Sequence, residues 1–172
     1  MGLNIYHTCE DRGNIDKIEQ EAPYKCTHSK SWLGEGYYFW DSNVNWAHEW
    51  GQEIYTKNGY VICEAQYVLN ECCLDLFGNV NHLTQFRQLS KQLFEKLENP
   101  NEMILCSQVI AYMKKFDFKY DSIRSYHTPK NAFSLKFRNN GYESIVLDSK
   151  VQICLLNKNC LVSHSLKVVY PG

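Results

Sequence analysis

Strand-like apolar runs lie at both ends of this 172-residue chain and helical periodicity fills its middle, a division that restricts the fold more than any other feature. Residues 3–9, LNIYHTC, read as a short strand, and residues 60–69, YVICEAQYVL, as the clearest one, after the Asn58-Gly59 turn signal. From 81 to 98, Leu83, Phe86, Leu89, Leu93, Phe94 and Leu97 share one helical face, and Asn99-Pro100 should end that helix. A second amphipathic helix is expected over about 102–115, using Ile104, Leu105, Val109, Ile110 and Met113. Short β runs return at 121–124, 144–147, 151–156 and 160–169. Two shorter helices are expected nearer the start, one capped by Asn14 and one by Ser42 or Asn43. The pattern predicts an α+β fold, with helices inserted between N- and C-terminal strands of one domain spanning 1–172.

Charge and cysteine usage exclude several function classes. A formal net charge of −1 gives no general attraction to nucleic acid or to an anionic membrane, so any polyanion site would be a local patch. Eight cysteines include no C-x-x-C pair and no finger-like spacing to a histidine pair, so no metal site is expected. Cys63 and Cys154 fall inside apolar strand runs, where a reduced thiol behaves as a small hydrophobe. The first residues, MGLNIYHTCEDRGN, lack the basic and apolar regions of a secretory signal, and the longest apolar run is far short of a membrane span. The expected setting is the reducing cytoplasm, without membrane attachment.

Three segments carry candidate chemistry, and each has an ordinary explanation when taken alone. Tyr6-His7-Thr8 lies in the first strand, where a histidine is usually a satisfied core residue. Leu33-Gly34-Glu35-Gly36-Tyr37-Tyr38-Phe39 places two glycines before an aromatic strand, which permits close backbone approach to a flat ligand and ring stacking on it. Val151-Gln152-Ile153-Cys154-Leu155-Leu156 is an apolar strand with one polar side chain near its start.

In this order the segments resemble the diphtheria-toxin/poly-ADP-ribose-polymerase class of ADP-ribosyltransferases, whose signature is His, Tyr and Glu. The stretch WLGEGYYFWDSNVNWAHEW is also similar to a group of small bacterial transferase-like proteins with a W-L-G-x-G-V-Y-F-W signature and a C-terminal Q-I-C strand. The resemblance covers roughly residues 5–51 and 120–162. It implies a split, strongly bent β core and a site for NAD⁺. On that basis His7 would bond the nicotinamide ribose and Tyr38 would stack on nicotinamide. Gly34 and Gly36 would shape the turn, Tyr37 would stand at the cofactor site in place of the family's usual Ile or Val, and the backbone of Thr8 would grip the carboxamide. Trp50 would be a candidate second aromatic wall. The third position is open between two alignments: Gln152, which is favoured, and Glu143, which would keep the carboxylate of the wider class.

The reaction so implied moves ADP-ribose from NAD⁺ to a macromolecular acceptor, protein or nucleic acid, and releases nicotinamide, as in a bacterial toxin or anti-phage effector with a possible antitoxin. It requires rigid positioning, stabilisation of an oxocarbenium-like centre and exclusion of water, but no metal. Lys150 stands two residues before Gln152, where arginine-modifying relatives carry an acid, which disfavours an arginine acceptor. Residues 124–150 interleave Arg124, Lys130, Lys136, Arg138 and Lys150 with Tyr126, Phe133, Phe137 and Tyr142, a pattern able to bind single-stranded nucleic acid. Two alternatives stay open: a non-catalytic module for NAD⁺ or ADP-ribose, and a structural interaction protein on the same fold.

Overall fold

The computed structural model describes residues 2–29, 31–97, 103–127, 134–136, 144–146 and 149–171. Within them the chain is α+β, with a seven-stranded mixed open sheet and four α-helices. The longest ladder joins β1 (Gly2–Glu10) to β3 (Tyr60–Val68) in antiparallel register, from Gly2 opposite Val68 to Glu10 opposite Tyr60. Gly59, at φ +77°, makes the turn before β3, a conformation glycine adopts without steric cost. The remaining strands are β2 (Tyr37–Asp41), β4 (Cys73–Asp75), β5 (Ser122–His127), β8 (Lys150–Leu155) and β9 (Lys167–Tyr170). The order across the sheet is β4-β5-β8-β2-β1-β3-β9, and β4–β5 is its parallel pair. A separate antiparallel ladder pairs β6 (Ser134–Lys136) with β7 (Ser144–Val146).

Strand alternation divides the core into two layers. On one face Ile5, Phe39, Ala65, Tyr67, Ile153 and Leu155 pack together, beside a second cluster of Cys9, Val61 and Cys63. Helix α1 (Ile15–Glu21) covers that second cluster with Ile18, its start fixed by Asn14 accepting from the Lys17 amide. On the other face Trp40 and Ile62 meet Ala47 of α2 (Val44–Ile54), which Asn43 caps. Gly51 of α2 lies against Tyr60 so closely that a Cβ there would sit 2.4 Å from the ring. Farther along the same face, Leu74, Ile123 and Cys154 pack under Ile110 and Met113 of α4 (Cys106–Met113). Helix α3 (Val80–Phe94) adds Phe86 and Leu89 to that cluster without burying any residue fully.

The elements differ from expectation where local hydrogen bonds outweigh periodicity. The long helix stops at Phe94, because the Lys96 and Leu97 amides turn back onto the Leu93 and Phe94 carbonyls. Asn99-Pro100 lies outside the described residues. The next helix begins at Cys106 rather than near 102, where the Gln108 side chain accepts from the Leu105 amide. The last strand is confined to β9, since the 3-10 segment at Lys158–Cys160 is followed by a turn in which the Ser165 amide bonds the Val162 carbonyl and His164 adopts φ 56°. No helix among the described residues is long and apolar enough to cross a membrane.

Candidate active site

The site begins where β1 and β2 part. The Asp11 amide donates to the Gly59 carbonyl at 3.1 Å and the Ser42 amide to the Asn4 carbonyl at 2.9 Å. Since antiparallel ladders alternate, odd-numbered residues of β1 turn their backbone groups to β3 and even-numbered ones to β2. The β1–β2 register comprises Ile5 opposite Asp41 and Tyr6 opposite Trp40. Thr8 is the next even residue, so its N–H and C=O face the gap beyond the ladder's end. Its side chain is held elsewhere, donating to the Ala47 carbonyl of α2 at 3.0 Å.

His7 bridges this gap from the opposite face of β1. Its Nδ1 lies 2.9 Å from the Tyr38 carbonyl, and its Nε2 accepts from the Tyr24 amide at 3.2 Å. A carbonyl can only accept and an amide can only donate, so these partners assign a neutral imidazole with its proton on Nδ1. The ring is buried, with its centroid 5.4 Å from that of Phe39. Burial pushes its pKa down to about 4 against the favourable bond to the Tyr38 carbonyl, and the nearby Lys158 charge lowers it further. His7 is therefore a neutral structural link as well as a candidate ligand contact.

Tyr38 projects to the face that carries α2 and α4. Its hydroxyl accepts from the Leu33 amide at 3.0 Å and donates to the Gly34 carbonyl at 2.7 Å, so the ring is tied to the glycine turn. Burial raises the pKa of this phenol, and the adjacent Cys154 raises it further. Gly34 adopts φ +90°, and a Cβ on Gly36 would lie 2.4 Å from Cys154 Sγ and 2.7 Å from the Leu155 carbonyl oxygen. Both glycines are required by geometry. Tyr37 points the other way, toward the cluster of Phe39 and Ile153, with Lys158 Nζ 5.3 Å from its ring centroid.

Gln152 lies on the Tyr38 face of β8, with Trp40 and Ser125 as its register partners on either side. Its Oε1 accepts from Trp32 Nε1 at 2.6 Å. Trp50, 41% exposed, stands 6.1 Å from Trp40 between ring centroids. Glu49 is engaged by Lys150 at 2.7 Å, and the same ammonium lies 4.6 Å from the Trp46 ring centroid. Thus Thr8, Tyr38, Gln152 and Trp50 belong to one face, whereas His7 and Tyr37 belong to the other. Glu143 lies outside the described residues.

Two residues near Gln152, Trp32 and Trp40, were not singled out by sequence. The W-L-G motif contains Trp32, but nothing in the sequence ties it to a strand 120 positions away. The basic–aromatic reading of 124–150 is corrected at its first member. Arg124 Nε bonds Asp41 at 2.7 Å and its guanidinium reaches Asp75 at 3.4 Å, with its side chain only 14% exposed. It is committed to an ion triad joining β5, β2 and β4. Lys130, Arg138, Phe133, Phe137 and Tyr142 lie outside the described residues. A separate hollow of about 480 Å³ lies beside β4 and the start of α3. Its Asp75, Asn79 and His82 are bound to one another or to backbone amides, so their hydrogen-bonding capacity is largely spent. No family model, curated protein or solved structure matches the chain.

Proposed function

We propose that the chain is an NAD⁺-dependent ADP-ribosyltransferase with a split β core of the kind its motifs resemble, and that nicotinamide enters the gap between β1 and β2. The observation that carries this reading is the end of the β1–β2 ladder at Tyr6–Trp40, which leaves the Thr8 backbone opposite the Tyr38 strand. A free N–H and C=O at that place suit the two ends of a carboxamide, and the Tyr38 ring supplies a stacking surface beside them. From the other face of β1, His7 would reach a ribose hydroxyl through the open end of the ladder, its Nε2 accepting in exchange for its 3.2 Å contact with the Tyr24 amide. It acts as an uncharged hydrogen-bonding group, because its pKa lies well below neutrality. Gln152 would contact the ribose from β8. Cleavage of the bond to nicotinamide then relies on orientation and water exclusion more than on a carboxylate. The acceptor is a macromolecule, protein or nucleic acid, and the cellular role is that of a cytoplasmic toxin or defence effector.

A second reading has its own support. Gln152 carries no charge and His7 is held neutral, so neither stabilises a developing cation as a carboxylate would. A module that holds NAD⁺ or ADP-ribose without turnover would need no more. Both readings share one test of the pocket. Tyr38→Ala should weaken NAD⁺ binding by roughly five- to tenfold, since ring stacking contributes about 1 kcal/mol beyond area burial. Tyr38→Phe should keep most affinity but lose about 1–2 kcal/mol of stability, because its hydroxyl bonds to the turn disappear. Calorimetry on folded protein that shows equal affinity for Tyr38→Ala would remove Tyr38 from the site.

A further inference from the structure

All four tryptophans of the chain gather around the start of β8. Trp40 is the register partner of Gln152, Trp50 is near Trp40, and Trp46 lies beneath Lys150, two residues before Gln152. Of the four, Trp32 bonds the Gln152 side chain. An indole N–H can donate but never accept, so it must meet the oxygen of the carboxamide. That contact settles which way the amide points, a choice that is otherwise ambiguous for glutamine. With Oε1 held against Trp32, the NH₂ group is the end of the amide turned away from that indole.

Trp32 is itself held. Its ring packs against the cluster of Leu33, Leu74 and Cys154, with the edge of His127 at a centroid distance of 6.3 Å. The next residue, Leu33, is fully buried and its amide donates to the Tyr38 hydroxyl. One continuous series of contacts thus runs from Tyr38 through the 32–34 turn to the Gln152 amide. The orientation of Gln152 is tied to the position of the Tyr38 ring.

We infer that Trp32 is a positioning residue that fixes the flip of the Gln152 amide, so that its NH₂ end is the one presented to an acceptor oxygen of the nicotinamide ribose. This rests on the NAD⁺ reading above. A glutamine free to flip would present either end to the ribose; one pinned by Trp32 keeps its oxygen on the indole and turns the NH₂ group, a donor, to the other side. The ribose oxygen facing Gln152 keeps its own proton for another partner. Replacing Trp32 by Phe retains an aromatic ring and removes the N–H, which frees the amide to turn.

The test combines a spectroscopic signature with a double-mutant cycle. In heteronuclear NMR the Trp32 indole N–H, assigned by its loss in Trp32→Phe, should move toward the free-indole position in Gln152→Leu. Nicotinamide release should fall about five- to tenfold in Trp32→Phe and about tenfold in Gln152→Ala, with KM for NAD⁺ changed by no more than about twofold. The double variant should be about tenfold slower, not the roughly fiftyfold or more expected for independent sites. An indole resonance unmoved by Gln152→Leu, or effects that multiply, would overturn the inference while leaving the NAD⁺ reading intact. Should Trp32→Phe not fold, the Trp32 indole is assigned instead by its through-space contact with the His127 ring, and Gln152→Leu read on it decides alone. Unmutated protein that neither binds nor cleaves NAD⁺ overturns the functional reading and the role of Trp32 with it, even if the indole shift is seen.

Discussion

Arg124→Met is expected to destabilise the protein by about 3–5 kcal/mol, enough to lower the melting temperature by roughly 10 °C in a chain of this size. The cause is the state of the carboxylates left behind. Asp41 is 4% exposed at its side chain and Asp75 13%, and Arg124 is the cation that both contact. Asp75 retains the Phe77 and Gly78 amides, and Asp41 retains the Ser42 hydroxyl. Neither set of bonds replaces the lost countercharge. Methionine preserves much of the packing over Phe77, whose ring centroid lies 4.7 Å from the guanidinium. The loss should therefore be electrostatic, and Arg124→Met/Asp41→Asn/Asp75→Asn should recover part of it in denaturant unfolding. If Arg124→Met alone unfolds at the same denaturant concentration as the unmutated chain, the triad contributes nothing.

His7→Ala should cost a comparable amount, about 3–5 kcal/mol, and also remove the ribose contact assigned to it. It strips the Tyr38 carbonyl and the Tyr24 amide of their shared partner and opens a cavity beside Phe39. His7→Gln, which offers both a donor and an acceptor, should be milder. The pH dependence distinguishes the histidine from other groups. Its folded pKa of about 4 lies below the ordinary histidine value of 6.5, so between these values the unfolded chain binds more protons. Stability contributed by neutral, buried His7 is complete above about pH 6.5 and declines as pH falls toward 4, by about 3 kcal/mol in all. The difference in unfolding free energy between the unmutated chain and His7→Gln should shrink over that window. A constant difference from pH 7 to pH 4 would mean that His7 titrates normally.

What the sequence made legible was local. Asn14 and Asn43 each stand just before a helix and each caps it through its side-chain oxygen, as their positions suggest. The alternation along residues 60–69 and 151–156 places Val61, Cys63 and Ala65 on one face of β3, and Gln152 with Cys154 on one face of β8. Gly34 and Gly36 are needed where the motif puts them, one for a positive φ and one for contact with β8. The remainder depended on partners distant in sequence. Three-residue β4 has no periodicity to detect, and it is defined by parallel pairing with β5, 49 positions on. Arg124 resembled a surface cation until Asp41 and Asp75 came from two other strands to meet it. Sequence did not show that alternation puts the His7 side chain on the face opposite Tyr38, so that it reaches the gap from behind, or that the loop at Tyr24 supplies its second bond. Trp32 lay inside a motif read for its glycines, yet its partner is on β8.

The central claim is that the gap between Thr8 and Tyr38 takes the nicotinamide end of NAD⁺ and that its glycosidic bond is cleaved there. Purified protein incubated with NAD⁺ and cell lysate, with free nicotinamide and bound ADP-ribose followed by mass spectrometry, tests this most directly. The account predicts nicotinamide release together with ADP-ribose on a polymer that either nuclease or protease removes, and roughly tenfold or greater loss of both in Tyr38→Ala. Intact NAD⁺ after prolonged incubation with folded protein, and no NAD⁺ binding by calorimetry, would contradict it.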